Sequence, residues 1–149
     1  MHIYGFHCCL YKLLKCIIGE FMSARELNQQ VIRCVCEWIE DNFDQTLTIA
    51  VIAEYCGYSQ WHLQKIFKRE TGCAIGEYIR NRKLTIIAQR LKDSDESIIY
   101  LAERYGFDSQ QAFTRTFKKY FSISPYKYRM TSETVEHKYL HPHKCNILY

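Results

Sequence analysis

The stretch IAEYCGYSQWHLQKIFKRETG, Ile52 to Gly72, returns further along the chain as LAERYGFDSQQAFTRTFKKYF, Leu101 to Phe121. Ile52-Ala-Glu-Tyr-Cys-Gly57-Tyr58 aligns with Leu101-Ala-Glu-Arg-Tyr-Gly106-Phe107 at an offset of 49, whereas Ile66-Phe67-Lys68 aligns with Thr116-Phe117-Lys118 at an offset of 50. One residue has therefore been added between turn and following helix in the second copy. The later offset persists through Gly72 and Ser122, Ile75 and Pro125, and Tyr78 and Tyr128. A match covering core, turn and trailing segment predicts two equivalent supersecondary units.

Each copy reads as helix, glycine turn, helix. Thr48 is placed to cap a short helix through Ala50 to Cys56, Gly57 turns the chain, and Ser59 caps the next helix. On that helix Leu63, Ile66 and Phe67 share one side, and Trp61, Gln64, Lys65 and Lys68 share the other. In the second copy the short helix runs from Ile98 to Tyr105, a cap falls at Asp108 or Ser109, and Phe113 and Phe117 point inward. Its outer face carries Gln111, Thr114, Arg115 and Lys118.

The remaining periodicity is also helical. Val31, Cys34, Val35, Trp38, Ile39 and Phe43 recur at steps of three or four and predict a helix over 31–43. A longer helix is expected from Ile75 to Leu91, presenting Ile75, Ile79, Leu84, Ile87, Ala88 and Leu91. Ser124 before Pro125 suits the start of a closing helix. The expected fold is all-α: two helix-turn-helix subdomains, 23–74 and 93–131, joined by a connecting helix over 75–92. An N-terminal extension (1–22) and a tail (132–149) flank them.

Two helices joined by a short glycine-containing turn form the unit whose second helix enters a DNA major groove. Lys or Arg donates to guanine, Gln bonds adenine bidentately, and an apolar edge such as Trp61 packs on a thymine methyl. The net charge of +4 is modest, but Arg115, Lys118, Lys119, Lys127 and Arg129 cluster where acidic residues are nearly absent. That placement suits phosphate contact. A helical adaptor for another protein would not need two cationic helix faces in repeat register.

Other chemistries are poorly supported. The eight cysteines contain no C-x-x-C pair, so reduced thiols and no structural metal are expected. His137, His141, His143 and Cys145 form a weak H-x3-H-x-H-x-C spacing in a segment without predicted scaffold. No P-loop, H-E-x-x-H pair or nucleophile triad occurs, so neither catalysis nor a cofactor is expected. In residues 1–21, Lys12 and Lys15 interrupt the apolar run and no cleavage site follows, which argues against secretion or a membrane span and for the cytoplasm.

These motifs resemble the DNA-binding domain of the AraC/XylS-type regulators, in particular the small stand-alone members. The resemblance runs from about Glu26 to His143. It includes WIEDNF at Trp38 to Phe43, YIRNRKLTIIAQRLK at Tyr78 to Lys92, both repeat stretches, and SPYKYRMT at Ser124 to Thr131. It implies a monomer that activates stress, efflux or antibiotic-resistance promoters through bacterial RNA polymerase, binding double-stranded DNA with no small-molecule effector. It also implies base reading by Trp61, Gln64, Lys65, Gln111, Ala112 and Arg115.

Ser59, Gln60, His62, Lys68, Ser109, Gln110, Thr114 and Lys118 are expected along the DNA backbone. Activation and repression differ in where the protein lands relative to polymerase, which these residues do not encode. Lys65 stands where the family often has Arg, Gln60 where Lys is common, and Ala112 in place of a base-touching Thr. Ala50 and Val51 are apolar where relatives tend to be charged.

Overall fold

A computed structural model describes residues 23–43 and 47–131, which form seven helices and no strand. They are α1 (Ala24–Asp41), α2 (Ile49–Cys56), α3 (Gln60–Thr71), α4 (Ile75–Asp93), α5 (Ile98–Arg104), α6 (Gln110–Phe121) and α7 (Pro125–Met130). The all-helical class expected from the repeat is the one observed. The described chain divides into two compact units, residues 23–42 with 47–76, and residue 43 with 77–131. Most of α4 therefore groups with the second unit.

In the first unit α1 starts seven residues before the predicted boundary at Val31. Its first two turns are mostly polar and exposed or half-buried, with Leu27 their one large apolar residue, so hydrophobic spacing marks them weakly. The start is set by a capping box: the Ser23 hydroxyl accepts from the Glu26 N–H at 3.3 Å, and the Glu26 carboxylate accepts from the Ser23 N–H at 2.8 Å. Val31, Ile32, Val35 and Ile39 of α1 are fully buried, as are Ile52 of α2 and Leu63 and Phe67 of α3. Both α1 and α2 pack against α3, and Trp38 stacks on Tyr55 with centroids 4.9 Å apart. Cys56 is buried, Cys34 is half-buried, and no disulfide joins Cys34, Cys36, Cys56 and Cys73.

The second unit is built around aromatic rings. Phe113, Phe117 and Phe121 line the inner face of α6 and meet Leu84, Ile87, Ala88 and Leu91 of α4, Leu101, Ala102 and Tyr105 at α5, and Tyr128 of α7. Phe117 lies 5.4 Å from Phe113, 4.4 Å from Phe121 and 5.5 Å from Tyr128, within the range where aromatic pairs attract beyond their buried area. Polar contacts brace the rim. Lys83 donates to the Tyr105 carbonyl at 2.9 Å, and Arg90 donates to the Tyr105 hydroxyl at 3.1 Å.

The two copies correspond in detail along the chain. Both turns use the same bonds: Gly57 N–H to the Glu54 carbonyl and Tyr58 N–H to Ala53, then Gly106 N–H to Glu103 and Phe107 N–H to Ala102. The added residue is Asp108, inserted between Phe107 and the cap Ser109. From the cap onward the registers agree. α3 and α6 are both 12 residues long, and each ends on a left-handed residue, Gly72 at φ 81° and Ser122 at φ 65°.

Ser122 is the one described non-glycine residue with positive φ. The left-handed region costs an L-residue roughly 1–2 kcal/mol, partly offset by the larger unfolded-state freedom of glycine. Ser122→Gly is therefore expected to stabilise the second unit by about 0.5–1 kcal/mol. Gly72→Ala has open space for its Cβ, so it should lose only the conformational term, about 1 kcal/mol. Denaturant melts of both variants check the pair; a stabilising Gly72→Ala would contradict it.

A pH effect follows from the α1 cap. Hydrogen bonds from the Ser23 side chain and backbone hold the Glu26 carboxylate below its usual range. A folded value beneath the unfolded one means stabilisation that is present above the unfolded pKa and lost as pH falls through the folded one. Thermal melts from pH 6 to pH 2 should show Glu26→Ala less stable than wild type near neutrality, with the gap closing in acid.

Candidate nucleic-acid interface

Each unit anchors its second helix by the inner face and leaves the outer face in solvent. On α3, burial of Leu63, Ile66 and Phe67 turns Gln60, Trp61, Gln64, Lys65 and Lys68 outward, and these five line one shallow depression with Ala74 and Ile75. Trp61 is 68% exposed. A large aromatic ring left in water on a charged face is informative in a way that an exposed Leu is not. The Lys65 ammonium sits 4.9 Å from the centroid of the Trp61 ring. Further along, Arg69 pairs with Glu70 at 2.7 Å.

On α6, burial of Phe113, Phe117 and Phe121 presents Gln110, Gln111, Thr114, Arg115, Lys118 and Lys119 around a second depression. Lys119, expected only as part of the basic cluster and not on the outer face of this helix, joins that face through its spacing of four from Arg115. Thr114 is half-buried, so it forms the floor of this face rather than its crest.

Four expected site residues are placed differently from the depressions' lining. The Ser59 hydroxyl accepts from the His62 N–H at 3.2 Å, and the Ser109 hydroxyl accepts from the Ala112 N–H at 3.1 Å. Both serines are thus N-caps that fix where each helix begins. His62 is half-buried and stacks on Tyr58 with centroids 4.9 Å apart. Ala112 is half-buried as well.

The basic cluster expected over Ser109 to Met130 needs one correction. Arg129 does not stand in solvent with the lysines. Its half-buried guanidinium donates to the Leu91 carbonyl at 3.2 Å and to the Glu96 carbonyl, tying α7 to the end of α4 and the loop after it. The Glu96 carboxylate in turn meets Arg90 at 3.5 Å and Arg104 at 3.3 Å. Arg129 is spent inside the fold, because two backbone carbonyls there need a donor.

Two reading-type helices with matched caps, matched lengths and outward amide and cationic side chains agree with the known proteins that the chain resembles. The Helix-turn-helix domain family matches residues 52–131. Multiple antibiotic resistance protein MarA of Escherichia coli is 54% identical over 121 residues, covering 81% of this chain and 95% of that protein. The chain belongs to the AraC/XylS-type family of helix-turn-helix transcription regulators.

Solved structures agree. An AraC-type regulator from Chromobacterium violaceum matches with a TM-score of 0.67 at 26% identity, covering 72% of this chain and 96% of that one. The DNA-binding domain of AdpA, a global transcriptional factor solved in complex with a target DNA, matches with a TM-score of 0.60 at 25% identity over 66% of this chain and 89% of that one. The protein is a DNA-binding transcription regulator. Among the described residues no helix is long and apolar enough to cross a membrane, and no group of His, Cys, Asp and Glu is arranged to hold a metal ion. Residues 137–145, with their histidines and Cys145, and the extension over 1–22 lie outside the described residues.

The contrast between Arg129 and Lys119 is measurable. Arg129→Ala should lower stability by about 1–3 kcal/mol, since two carbonyls lose a charged donor, while the salt dependence of DNA binding by the folded protein stays unchanged. Lys119→Ala should leave the melting temperature in place and reduce the slope of log K against log salt by about one. An unchanged melt for Arg129→Ala with a reduced slope would return Arg129 to the DNA surface.

Proposed function

We propose that this protein acts in the bacterial cytoplasm as a monomeric transcriptional activator of antibiotic-resistance or stress promoters, with α3 and α6 reading two successive major-groove segments. The observation that carries the reading is the repeat itself: two 12-residue helices, each anchored by a buried phenylalanine, Phe67 or Phe117, and each offering a polar and cationic outer face. The relative named for multiple antibiotic resistance supports the choice of promoters, and the AdpA complex supports duplex DNA as the ligand. RNA polymerase is the partner through which such a protein activates, and no small-molecule effector is required.

In this reading Trp61, Gln64 and Lys65 of α3, and Gln111, Ala112 and Arg115 of α6, contact base edges. Arg115 donates to guanine O6 and N7 as a bidentate fork, and the glutamines pair with adenine. Gln60, Lys68, Gln110 and Lys118 meet phosphates, and Thr114 backs them. The capped helix starts at Ser59 and Ser109, with His62 close by, turn their backbone N–H groups toward the sugar-phosphate chain. Residues 23–74 and 93–131 then serve as the two reading subdomains, and 75–92 as the connection between them.

Anisotropy titrations test the bipartite reading. If one molecule spans both half-sites, its reading helices address grooves one helical turn apart, about 34 Å. A duplex with five base pairs inserted between the half-sites turns one of them to the far side, so most of the second unit's contribution should vanish. DNA bending recovers part of it only at an elastic cost of order 1–6 kcal/mol. Arg115→Ala should cost about 1–3 kcal/mol on the intact site and flatten preference at one or two base pairs. Equal affinity for normal and inserted duplexes, or two chains bound per site, would defeat the model.

A further inference from the structure

The two outer faces differ at the pair of positions that matter most for reading. At equivalent places, fifty residues apart, α3 has Trp61 and Lys65 and α6 has Gln111 and Arg115. A guanidinium is a planar fork whose donors arrive already oriented, whereas an ammonium is a point charge on a flexible four-carbon stem. The unit that carries the less directional cation is the one that places an aromatic ring four residues before it.

The surroundings of Lys65 leave it one attractive neighbour. At helical spacing it faces Trp61 and His62 on one side and Lys68 and Arg69 on the other, with no carboxylate among them. Toward the C-terminus Lys68 repels the ammonium, while the charge of Arg69 is taken up by Glu70 at 2.7 Å; toward the N-terminus the indole face attracts it. Side chains on a helix also lean toward its N-terminus, the end from which base edges are contacted. The observed position, 4.9 Å from the Trp61 ring centroid, is where these influences converge. Lys65 makes no hydrogen bond to any described residue, so its three donors stay available.

We propose that Trp61 is a positioning residue for Lys65, and that the two act as one reading unit: the ring holds the ammonium toward the acceptors of one base pair while the indole edge packs on a neighbouring pair. This deepens the assignment of α3 to base reading and rests on it. Preference at the Lys65 base pair then depends on Trp61, even though the ring does not touch that pair.

The test uses the full chain and a duplex selected from a random pool by the wild-type protein. Wild type, Trp61→Leu, Lys65→Met and the double variant are titrated on that duplex and on a set in which each base pair is changed in turn. The pair at which Lys65→Met flattens preference is the Lys65 pair. We expect Trp61→Leu to reduce discrimination at that same pair, and the four affinities to show coupling of about two- to five-fold, the size of an exposed cation–aromatic contact. In the free protein, NMR should place the Lys65 Hε protons upfield through the indole ring current, a shift lost in Trp61→Leu. Trp61 is exposed, so the variant should fold, and a thermal melt verifies it.

Effects that multiply without coupling, or unchanged preference at the Lys65 pair in Trp61→Leu, would overturn the positioning role while leaving α3 as a reading helix. Binding unaffected by either single change would overturn both.

Discussion

The structure depends on the complete burial of Phe67 and Phe117, which hold the same place in the two copies and expose none of their surface. A helix of 12 residues is marginal in water, and neither α3 nor α6 would persist on its own. Each is held because one side is fastened into a core, by Leu63, Ile66 and Phe67 or by Phe113, Phe117 and Phe121. Fixing the inner side fixes the outer side too, since the angle between them is set by the helix. The function therefore rests on apolar residues that never meet DNA.

The units reach this common end by different packing. The first surrounds Phe67 with aliphatic side chains from α1, α2 and α3, with stacked pairs, Trp38 on Tyr55 and His62 on Tyr58, at its edge. The second substitutes a run of rings and closes its loop with charges: Glu96 between Arg90 and Arg104, and Arg129 on two carbonyls. Such a network stabilises only while every member is satisfied, and here each has a named partner. Partial burial pushes the Lys83 ammonium below its usual pKa, yet its bond to the Tyr105 carbonyl keeps the half-buried charge from being orphaned.

Much of this was legible in the residues, and the parts that were not have identifiable causes. The repeat shows because equal units need equal cores, caps and turns, so Phe67 and Phe117, Ser59 and Ser109, and Gly57 and Gly106 recur together. The outward sets on α3 and α6 follow from the same periodicity. The first two turns of α1 were missed because their residues are mostly polar, with Leu27 the one large apolar side chain ahead of Val31, so that the Ser23 and Glu26 spacing is the clearer signal. Arg129 was misplaced because charge composition carries no direction: a guanidinium two residues after Lys127 looks like its basic neighbours until the carbonyls that it satisfies are seen. The half-burial of His62, expected along the DNA backbone, was not legible because nothing in the sequence orients Tyr58, whose ring stacks on it across the cap.

The insertion of Asp108 ahead of the Ser109 cap bears on how such a repeat can drift in length. Successive residues of an α-helix are rotated by about 100°. An extra residue inside α6 between Gln111 and Phe117 would swing part of the outer face by that angle relative to the anchoring rings, taking Gln111 out of line with Arg115 and Lys118. Placed before the cap, the same addition changes only the path of the turn, and Ser109 takes it up with an extended φ of −162° where Ser59 has −69°. The angular phase of the outer face against the core is untouched. The turn thus works as an expansion joint, the position in each copy where the chain gains or loses length without turning its reading surface away.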